Sequence, residues 1–484
     1  MMHYQKYLFN LLILCIGFSA QGQFTDSLEI IVGTTASAAS EDFQPLWLGA
    51  NKWGTIADRQ TDLSTRLRLS NQHVLGKKFR RSGEIGKPRF TIGYALDIYN
   101  NEHFDQTFIQ EGFVKFTYDK WEVSAGRFEN IIGEVHPELS SGSLGGISPN
   151  ALPIPKISVY NSDYINIPFT NGWLQFKGLF GHGWLGNDRL LEKAYLHEKA
   201  LYGRIGKQKL KLYGGIQHYA IWGGQNSKYQ LDRSFQGFLD VVFFKEADDG
   251  SVGPDIRPNR AGYQRGSVDF GVTYDSKDFT FNLYHQTPIE NHTSITFQNI
   301  DRLVGLSIDQ KDQDKFWQSL LFEFLYTKQM GNYEGNREAY YYYENGVYQT
   351  GWDYMGRVIG TPLIINRTRG SKYFENLNAP VWDGNNGYPL NYNMPGNRVI
   401  AGHFGALYKP LKKFHCKTLL TFSKNFGNGD SVEFFSPDKN QVYSLQEISY
   451  DLKPNLKLVT SLAYDFGDLY NNFGGMLELQ WQLK

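Results

Sequence analysis

The sequence predicts an all-β protein, a transmembrane antiparallel β-barrel of about 18 strands with long extracellular loops. Three observations support this fold class. Apolar residues recur with a period of two, short and long connections alternate along the chain, and aromatic residues stand at or beside predicted strand ends. Outer-membrane barrels combine these features: tight periplasmic turns, long extracellular loops and aromatic girdles at both interfaces. The predicted strand number is even, which places both termini on the short-turn side.

The period-two pattern is clear in several segments. Bulky apolar residues alternate with small or polar ones from Phe90 to Ile98, which puts Phe90, Tyr94 and Leu96 on one face of a strand of about ten residues. Val268 to Tyr274 and Phe279 to Leu283 are separated by a short polar turn, as in a hairpin. The chain ends inside another alternating strand, and we predict Phe90, Tyr94 and Leu96 to face lipid.

The connections fall into two classes. Predicted short turns include Asp119-Lys120, Gly206 to Gln208, Pro410 to Lys413 and Lys453 to Asn455. Long segments rich in Gly, Asn, Pro and aromatics cover about Ala39 to Gln60, Glu129 to Pro155, Leu185 to His197, Gln225 to Arg260 and Thr327 to Asn397. A secreted soluble sandwich or propeller would also alternate. Aromatics at so many strand ends favour the membrane barrel.

Composition excludes several other classes. The 484 residues carry 49 Lys+Arg and 49 Asp+Glu, so no net field recommends nucleic acid as a partner. No apolar run after the first 22 residues reaches the ~18 residues of a membrane-spanning helix. Residues 1–22 are predicted to be a secretory signal peptide cleaved after Gly22, which leaves residues 23–484 as a single outer-membrane barrel domain. Cys416 is then the one remaining thiol.

Catalytic and metal motifs are weak. No phosphate loop, zinc spacing or dinucleotide fingerprint is present, so we predict neither an enzyme nor a cofactor. Asp309, Asp312 and Asp314 miss the calcium-loop spacing, and Asp248-Asp249 offers at best a surface ion site. His182, His197 and His218 lie near the ends of three neighbouring strands. They would either cluster at the lumen mouth or hydrogen-bond separately in the polar interior, and we favour the second.

The long segment after Thr327 is rich in Tyr, Trp, Asn and Arg. Aromatic faces can stack on sugar rings, Asn amides pair with hydroxyls, and Arg suits the carboxylates of acidic sugars. The same rings could instead pack the loop on itself, because a loop of about 70 residues needs a core of its own. Both alternatives remain open. The glycan-binding candidates are Trp184, Tyr341, Tyr343, Trp352, Tyr354, Arg367 and Trp382.

Several segments together resemble the Wzi family of capsule assembly outer-membrane proteins. They are Ser140 to Leu144, Pro153 to Lys156, Asn171 to Gly178, His182 to Trp184, Tyr195 to Lys199, Gly351 to Gly356, Ile359 to Leu363 and Asn397-Arg398. The resemblance implies a plugged 18-stranded barrel with a helical periplasmic element, acting as a lectin-like anchor for exported polysaccharide. Residues 28–71, however, look more like strand and loop than helix.

We therefore predict an outer-membrane, non-enzymatic barrel that binds and organises capsular or exopolysaccharide at the cell surface. Its expected partners are surface polysaccharide and outer-membrane lipid, and the protein is expected to be a monomer. The alternative function is a porin-like diffusion channel, since porins also have ~16 to 18 strands and a polar lumen.

Overall fold

A computed structural model describes residues 28–75, 90–245, 261–290, 294–334, 341–382, 393–428 and 432–484. Its main element is one closed antiparallel sheet. The first half of the chain contributes β1 (Glu29–Ala39), β2 (Thr61–Leu75), β3 (Phe90–Asn101), β4 (Gln106–Tyr118), β5 (Trp121–Arg127), β6 (Lys156–Asn161), β7 (Ile165–Asn166), β8 (Leu174–Trp184), β9 (Tyr195–Ile205) and β10 (Leu210–Trp222).

The second half adds β11 (Tyr263–Asp275), β12 (Phe279–Ile289), β13 (Arg302–Gln310), β14 (Trp317–Tyr326), β15 (Asp353–Tyr354), β16 (Arg357–Val358), β17 (Val399–Tyr408), β18 (Phe414–Asn425), β19 (Lys439–Lys453), β20 (Leu456–Gly467) and β21 (Asn472–Gln482). Three short helices occur in the connections, namely α1 (Leu46–Gly49), α2 (Phe235–Val242) and α3 (Arg367–Gly370), with a 3-10 turn at Val432–Phe435.

The barrel has 18 positions around its wall. Strands β15 and β16 form a separate two-stranded hairpin, and β6 and β7 share one position because both pair with β8. The last strand closes on the first: β21 pairs antiparallel with β1, with Ile31 opposite Gln482. Both sheet termini therefore lie at the same end, and the predicted strand number and fold class are confirmed.

The two ends of the barrel differ in their connections. At the end that carries both termini, here called the turn end, the connections include 119–120, 206–209, 276–278, 311–316, 409–413 and 454–455. At the opposite loop end they include 40–60, 128–155, 185–194, 223–262, 290–301, 327–398 and 426–438. The five predicted short turns all lie at the turn end. The predicted long segments all lie at the loop end.

The wall has an apolar outer face and a polar inner face. On β3, Phe90, Tyr94 and Leu96 are exposed on the outside, whereas Ala95 and Asp97 are buried on the inside. The lumen charges are paired: Arg66 donates to Asp97 at 2.6 Å, and Arg68 joins Asp97 to Glu111. Because side chains alternate across a strand, this confirms the predicted lipid-facing set on β3.

Three loop-end connections fold back into the lumen. We call 128–155 the plug loop, 40–60 the first loop and 327–398 the large loop. The plug loop descends close to the turn end, where the His136 imidazole lies 3.4 Å from the Asp309 carboxylate and the Asn282 amide donates to the Glu134 carbonyl at 3.1 Å. The main buried apolar cluster joins all three loops to the inner wall, so the core of this barrel is its filled lumen.

The helical element implied at the periplasmic end is absent from the described part of the N-terminal region, residues 28–75. The helix found there, α1, lies at the opposite end inside the lumen, where the Trp47 indole donates to the Thr421 hydroxyl at 3.0 Å. A local Pro45-Leu46-Trp47 sequence buries a four-residue turn against β19 and β20. Within the described ranges, no helix has the length and apolarity needed to cross a membrane.

Candidate functional site

The large loop is held in the lumen through the aromatic residues that suggested a glycan surface. Tyr343 is fully buried, and its hydroxyl lies 3.1 Å and 2.9 Å from the carbonyl oxygens of Ser143 and Leu144 in the plug loop. The backbone amide of Thr361 donates to the same hydroxyl at 3.1 Å. Burial raises the pKa of Tyr343 to about 12, so this phenol remains a neutral hydrogen-bond donor.

Trp352 is also fully buried beside it. Its indole N–H donates to the Gly146 carbonyl at 3.3 Å, and its ring packs against Tyr219 of the inner wall. The Arg265 guanidinium lies 4.4 Å from the Tyr343 ring centroid and 4.7 Å from that of Trp352. The structure therefore corrects the assignment of Tyr343 and Trp352 as glycan contacts, because neither ring offers a face to a ligand. They form the core of the plug.

A cleft of about 380 Å³ opens beside this core. It is bounded by the first loop, the β3–β4 hairpin, the β15–β16 hairpin and α3, which all meet at the loop end of the lumen. Its lining includes aromatic, amide and charged side chains: Phe108, Tyr354, Asn101, Gln106, Asn150, Asn366, Asp58, Glu102, Asp188, Arg357, Arg369 and Lys372. Three cationic and three anionic side chains share this surface.

The cations of the cleft are positioned by the first loop. The Arg357 guanidinium donates to the Gly49 carbonyl at 3.1 Å, and burial lowers its pKa. Arg369 donates to the Tyr470 hydroxyl at 2.7 Å and lies 3.9 Å from the Asp58 carboxylate. These contacts fix the two guanidinium planes against backbone and ring groups, so they form a rigid wall of the cleft.

The β15–β16 hairpin presents Tyr354 at the cleft. Its hydroxyl accepts a hydrogen bond from the Arg127 guanidinium at 3.2 Å. The neighbouring Asp353 is buried and accepts from the Asn366 amide at 2.5 Å and from the Gly356 backbone N–H at 3.0 Å. Burial raises the pKa of Asp353 to about 6 and lowers the pKa of the nearby Arg189 to about 10. Two partly neutralised buried groups thus support the hairpin.

The other predicted glycan residues are scattered. Tyr341 is exposed, Arg367 is buried at the start of α3, and Trp382 is half-buried at the end of a described segment. Trp184 ends β8 on the outer face of the wall, where its neighbours are His182 and Tyr195. Of the seven candidates, only Tyr354 lines the cleft.

Sequence reasoning missed most of the cleft. Phe108, Asn101 and Gln106 come from a strand hairpin, and Arg357 and Lys372 belong to the large loop but were not singled out. A signal was available in the four-residue connection 102–105, which is short for this end of the barrel and brings strand residues to the mouth of the lumen. The long aromatic loop drew attention instead.

The three histidines do come together, but on the outside of the barrel. His182 pairs with His197 across β8 and β9, and the rings of His197 and His218 are 6.0 Å apart. They share the face of Leu201 and Ile205, which are exposed on the outer wall. Both predicted positions, the lumen mouth and the polar interior, are therefore wrong.

Metal ligation finds no support in the described part of the chain, which contains no group of three or more suitable side chains. Asp309 contacts His136 and the hydroxyls of Ser307 and Ser319. Asp248 and Asp249 lie outside the described residues.

A closed 18-position barrel with an apolar outer face, a filled lumen and a cleft at its loop end defines a plugged barrel of the outer-membrane class. Residues 48–363 match the family model "Capsule assembly protein Wzi", and the chain belongs to this family. Membership in a capsule assembly family agrees with the prediction of a non-enzymatic protein. A search of the curated proteins finds no match.

Solved structures show the same fold. One is described as Wzi, an outer membrane protein involved in group 1 capsule assembly in Escherichia coli and a carbohydrate-binding β-barrel; it has 13% identity and a TM-score of 0.55, covering 93% of this chain and 83% of that chain. Pseudomonas aeruginosa OpdL has 10% identity and a TM-score of 0.47, with 94% and 98% coverage. Acinetobacter baumannii OccAB4 has 11% identity and a TM-score of 0.45, with 95% and 98% coverage.

Proposed function

We propose that this outer-membrane protein holds capsular or exported polysaccharide at the cell surface and that the polymer binds in the cleft at the loop end. The observation that carries the proposal is the position of the cleft: it opens beside a lumen filled by the three inserted loops. The described similarity of the Escherichia coli barrel, which binds carbohydrate, supports the same ligand class.

The lining suits a sugar polymer. Phe108 and Tyr354 supply aromatic surface for the apolar face of a sugar ring, and the amides of Asn101 and Gln106 can donate to and accept from hydroxyls. Lys372 is half-buried at the same cleft and can meet an acidic substituent. Many weak contacts of this kind suffice for retention, because a repeating polymer binds multivalently.

The porin alternative is less compatible with this arrangement. Solute diffusion needs an open polar channel, whereas buried side chains of the plug loop and large loop occupy the lumen. We also propose that residues 1–22 are removed as a signal peptide during export, that residues 23–484 form the mature barrel domain, and that the protein acts as a monomer.

The test compares two phenylalanines of one hairpin. Phe108→Ala removes a ring from the cleft, whereas Phe104→Ala removes an exposed ring from the adjoining turn, outside the cleft lining. At ~1 kcal/mol per stacked ring, Phe108→Ala should weaken binding of polysaccharide purified from the same cells roughly fivefold. Cells should correspondingly release more polymer into the medium.

The control should bind and retain polysaccharide as the unaltered protein does. Heat-modifiable migration on gels establishes that both variants are folded. Equal retention in the Phe108→Ala and Phe104→Ala strains, with equal binding in vitro, would contradict the cleft as the polysaccharide site.

A further inference from the structure

Helix α2 lies on the outside of the barrel, although the connection that contains it is predicted to be an extracellular loop. Ser234 caps its N-terminus, with its hydroxyl accepting from the Gly237 backbone N–H at 3.1 Å. Phe238 then contacts outward-facing rings on three strands: His182 on β8 at 5.6 Å, His197 on β9 at 5.7 Å and Trp222 on β10 at 5.9 Å. The helix therefore packs across the outer surface of β8, β9 and β10.

The packing also fixes the level of the helix along the wall. Phe244, two residues after the helix, lies 4.4 Å from the His218 ring on β10, measured between centroids. His218 is four residues from the loop end of that strand, about 13 Å at the usual strand rise. Helix α2 thus covers the uppermost part of the outer face, at the edge of the ~25 Å apolar band of such barrels.

The wall under α2 is polar, which is unusual for a lipid-facing surface. His182, His197 and His218 point outward there, and so does Lys199. The Lys199 ammonium donates to the Val242 carbonyl at the end of α2 and lies 4.2 Å from the Phe244 ring centroid. Because a lipid-exposed Lys is destabilising in such a barrel, the helix removes these groups from contact with acyl chains.

The surface that replaces them is apolar. Phe235 is 74% exposed and Phe243 is 67% exposed, facing away from the wall. They adjoin the exposed lipid-facing residues Phe180 and Leu201 of β8 and β9. Polar groups of α2 are paired with one another, since Asp240 accepts from the Gln236 amide at 2.8 Å and lies 2.7 Å from the Lys245 ammonium.

We propose that α2 is a membrane-embedded interfacial helix whose Phe235 and Phe243 rings contact the acyl chains of outer-leaflet lipid. The helix completes the lipid-facing surface of the barrel over the polar stripe of three histidines and Lys199. Continuity with the apolar wall identifies the occupant as lipid, since the exposed rings extend the surface that the strands already present to the bilayer.

Spin labels test this location directly. In a Cys15→Ser, Cys416→Ala background, single cysteines replace Phe235, Phe243, Leu201 or Gln298, and the labelled protein is reconstituted in dimyristoylphosphatidylcholine vesicles. Leu201 is the lipid reference on the wall, and Gln298, exposed in the 290–301 connection, is the water reference. Collision of the nitroxide with dissolved oxygen and with a water-soluble nickel chelate is measured for each folded, heat-modifiable variant.

Labels at Phe235 and Phe243 should collide more with oxygen than with the nickel chelate, as the Leu201 label does. Water-like values at either position, matching those at Gln298, would overturn the proposal. A second comparison needs no label: Phe243→Asp should lower the urea midpoint of unfolding in vesicles more than Gln236→Asp does. Equal midpoints would contradict lipid contact at Phe243.

Discussion

Buried charged side chains hold the inserted loops at specific points of the lumen. Arg265 on the wall is 3.2 Å from Glu290, and its guanidinium also donates to the carbonyls of Leu144 and Gly145 in the plug loop, at 3.1 Å and 3.0 Å. Glu323 accepts from the Ser140 hydroxyl and the Ser141 amide, each at 2.7 Å. Removing one partner of such a contact leaves the other buried and unsatisfied, so these residues specify where the plug sits.

Asp353 makes the support of the cleft dependent on pH. Its pKa is about 6 in the folded protein against 3.8 for the model value, so the folded state binds more protons between these two values. Stability of the wild type relative to Asp353→Asn should therefore rise as pH falls through 6, reaching at most about 3 kcal/mol below pH 4. Urea unfolding of both proteins from pH 7 to pH 4 measures this difference.

The comparison with Asp353→Asn removes the contributions of the other titrating groups, which the two proteins share. A difference that stays constant across the range, or that falls with decreasing pH, would show that the Asp353 carboxyl does not titrate in this way.

Each strand of the barrel separates two environments that differ by one residue step. On β3, Leu96 is exposed near the middle of the outer face, while Gly93 faces the lumen, where an added Cβ would meet only the Asn71 carbonyl at 3.8 Å. Substitutions at these neighbouring positions should consequently obey different rules.

Leu96→Arg should destabilise the folded barrel by ~2 to 4 kcal/mol, because it places a cation on the lipid face near the bilayer midplane. Gly93→Ser should be mild, since the lumen accepts a small polar group. Urea unfolding in lipid vesicles measures both. Equal losses of stability would require the two faces of β3 to be reassigned.

The whole molecule combines a barrel wall with a lumen core supplied by its loops. The wall closes through β1 and β21, whose ladder runs from Ile31–Gln482 to Ala39–Gly474 and involves none of the inserted loops. The barrel should therefore tolerate disruption of the plug, and blockage and wall integrity should be separable.

Replacing residues 134–147 by a Gly-Ser linker of equal length should open the lumen. The expected result is steady single-channel current in planar bilayers from the variant and none from the unaltered protein. The matched control replaces residues 295–298, an exposed stretch of the 290–301 connection, and should remain closed. Large steady currents from the unaltered protein would instead support the porin function.

The prediction from sequence succeeded where the signal is local. Alternation along Phe90 to Ile98 identified the lipid face of β3, and turns such as Asp119-Lys120 identified the turn end. Alternation alone does not say which face carries polar groups under a covering helix. The parity of His197 with Leu201 and Ile205 placed it outside, a signal that the sequence contained and that we did not use.

By itself, the sequence determined the fold class, the strand number and the two unlike ends, because period-two alternation and connection length are properties of neighbouring residues. Only the tertiary structure decided what the aromatic residues do. Tyr343 meets Ser143 across 200 positions and Trp352 meets Gly146 across 206, contacts that no local pattern encodes. An aromatic ring stabilises a core, a lipid surface or a sugar by the same burial of apolar area, so its partner depends on where the folded chain places it.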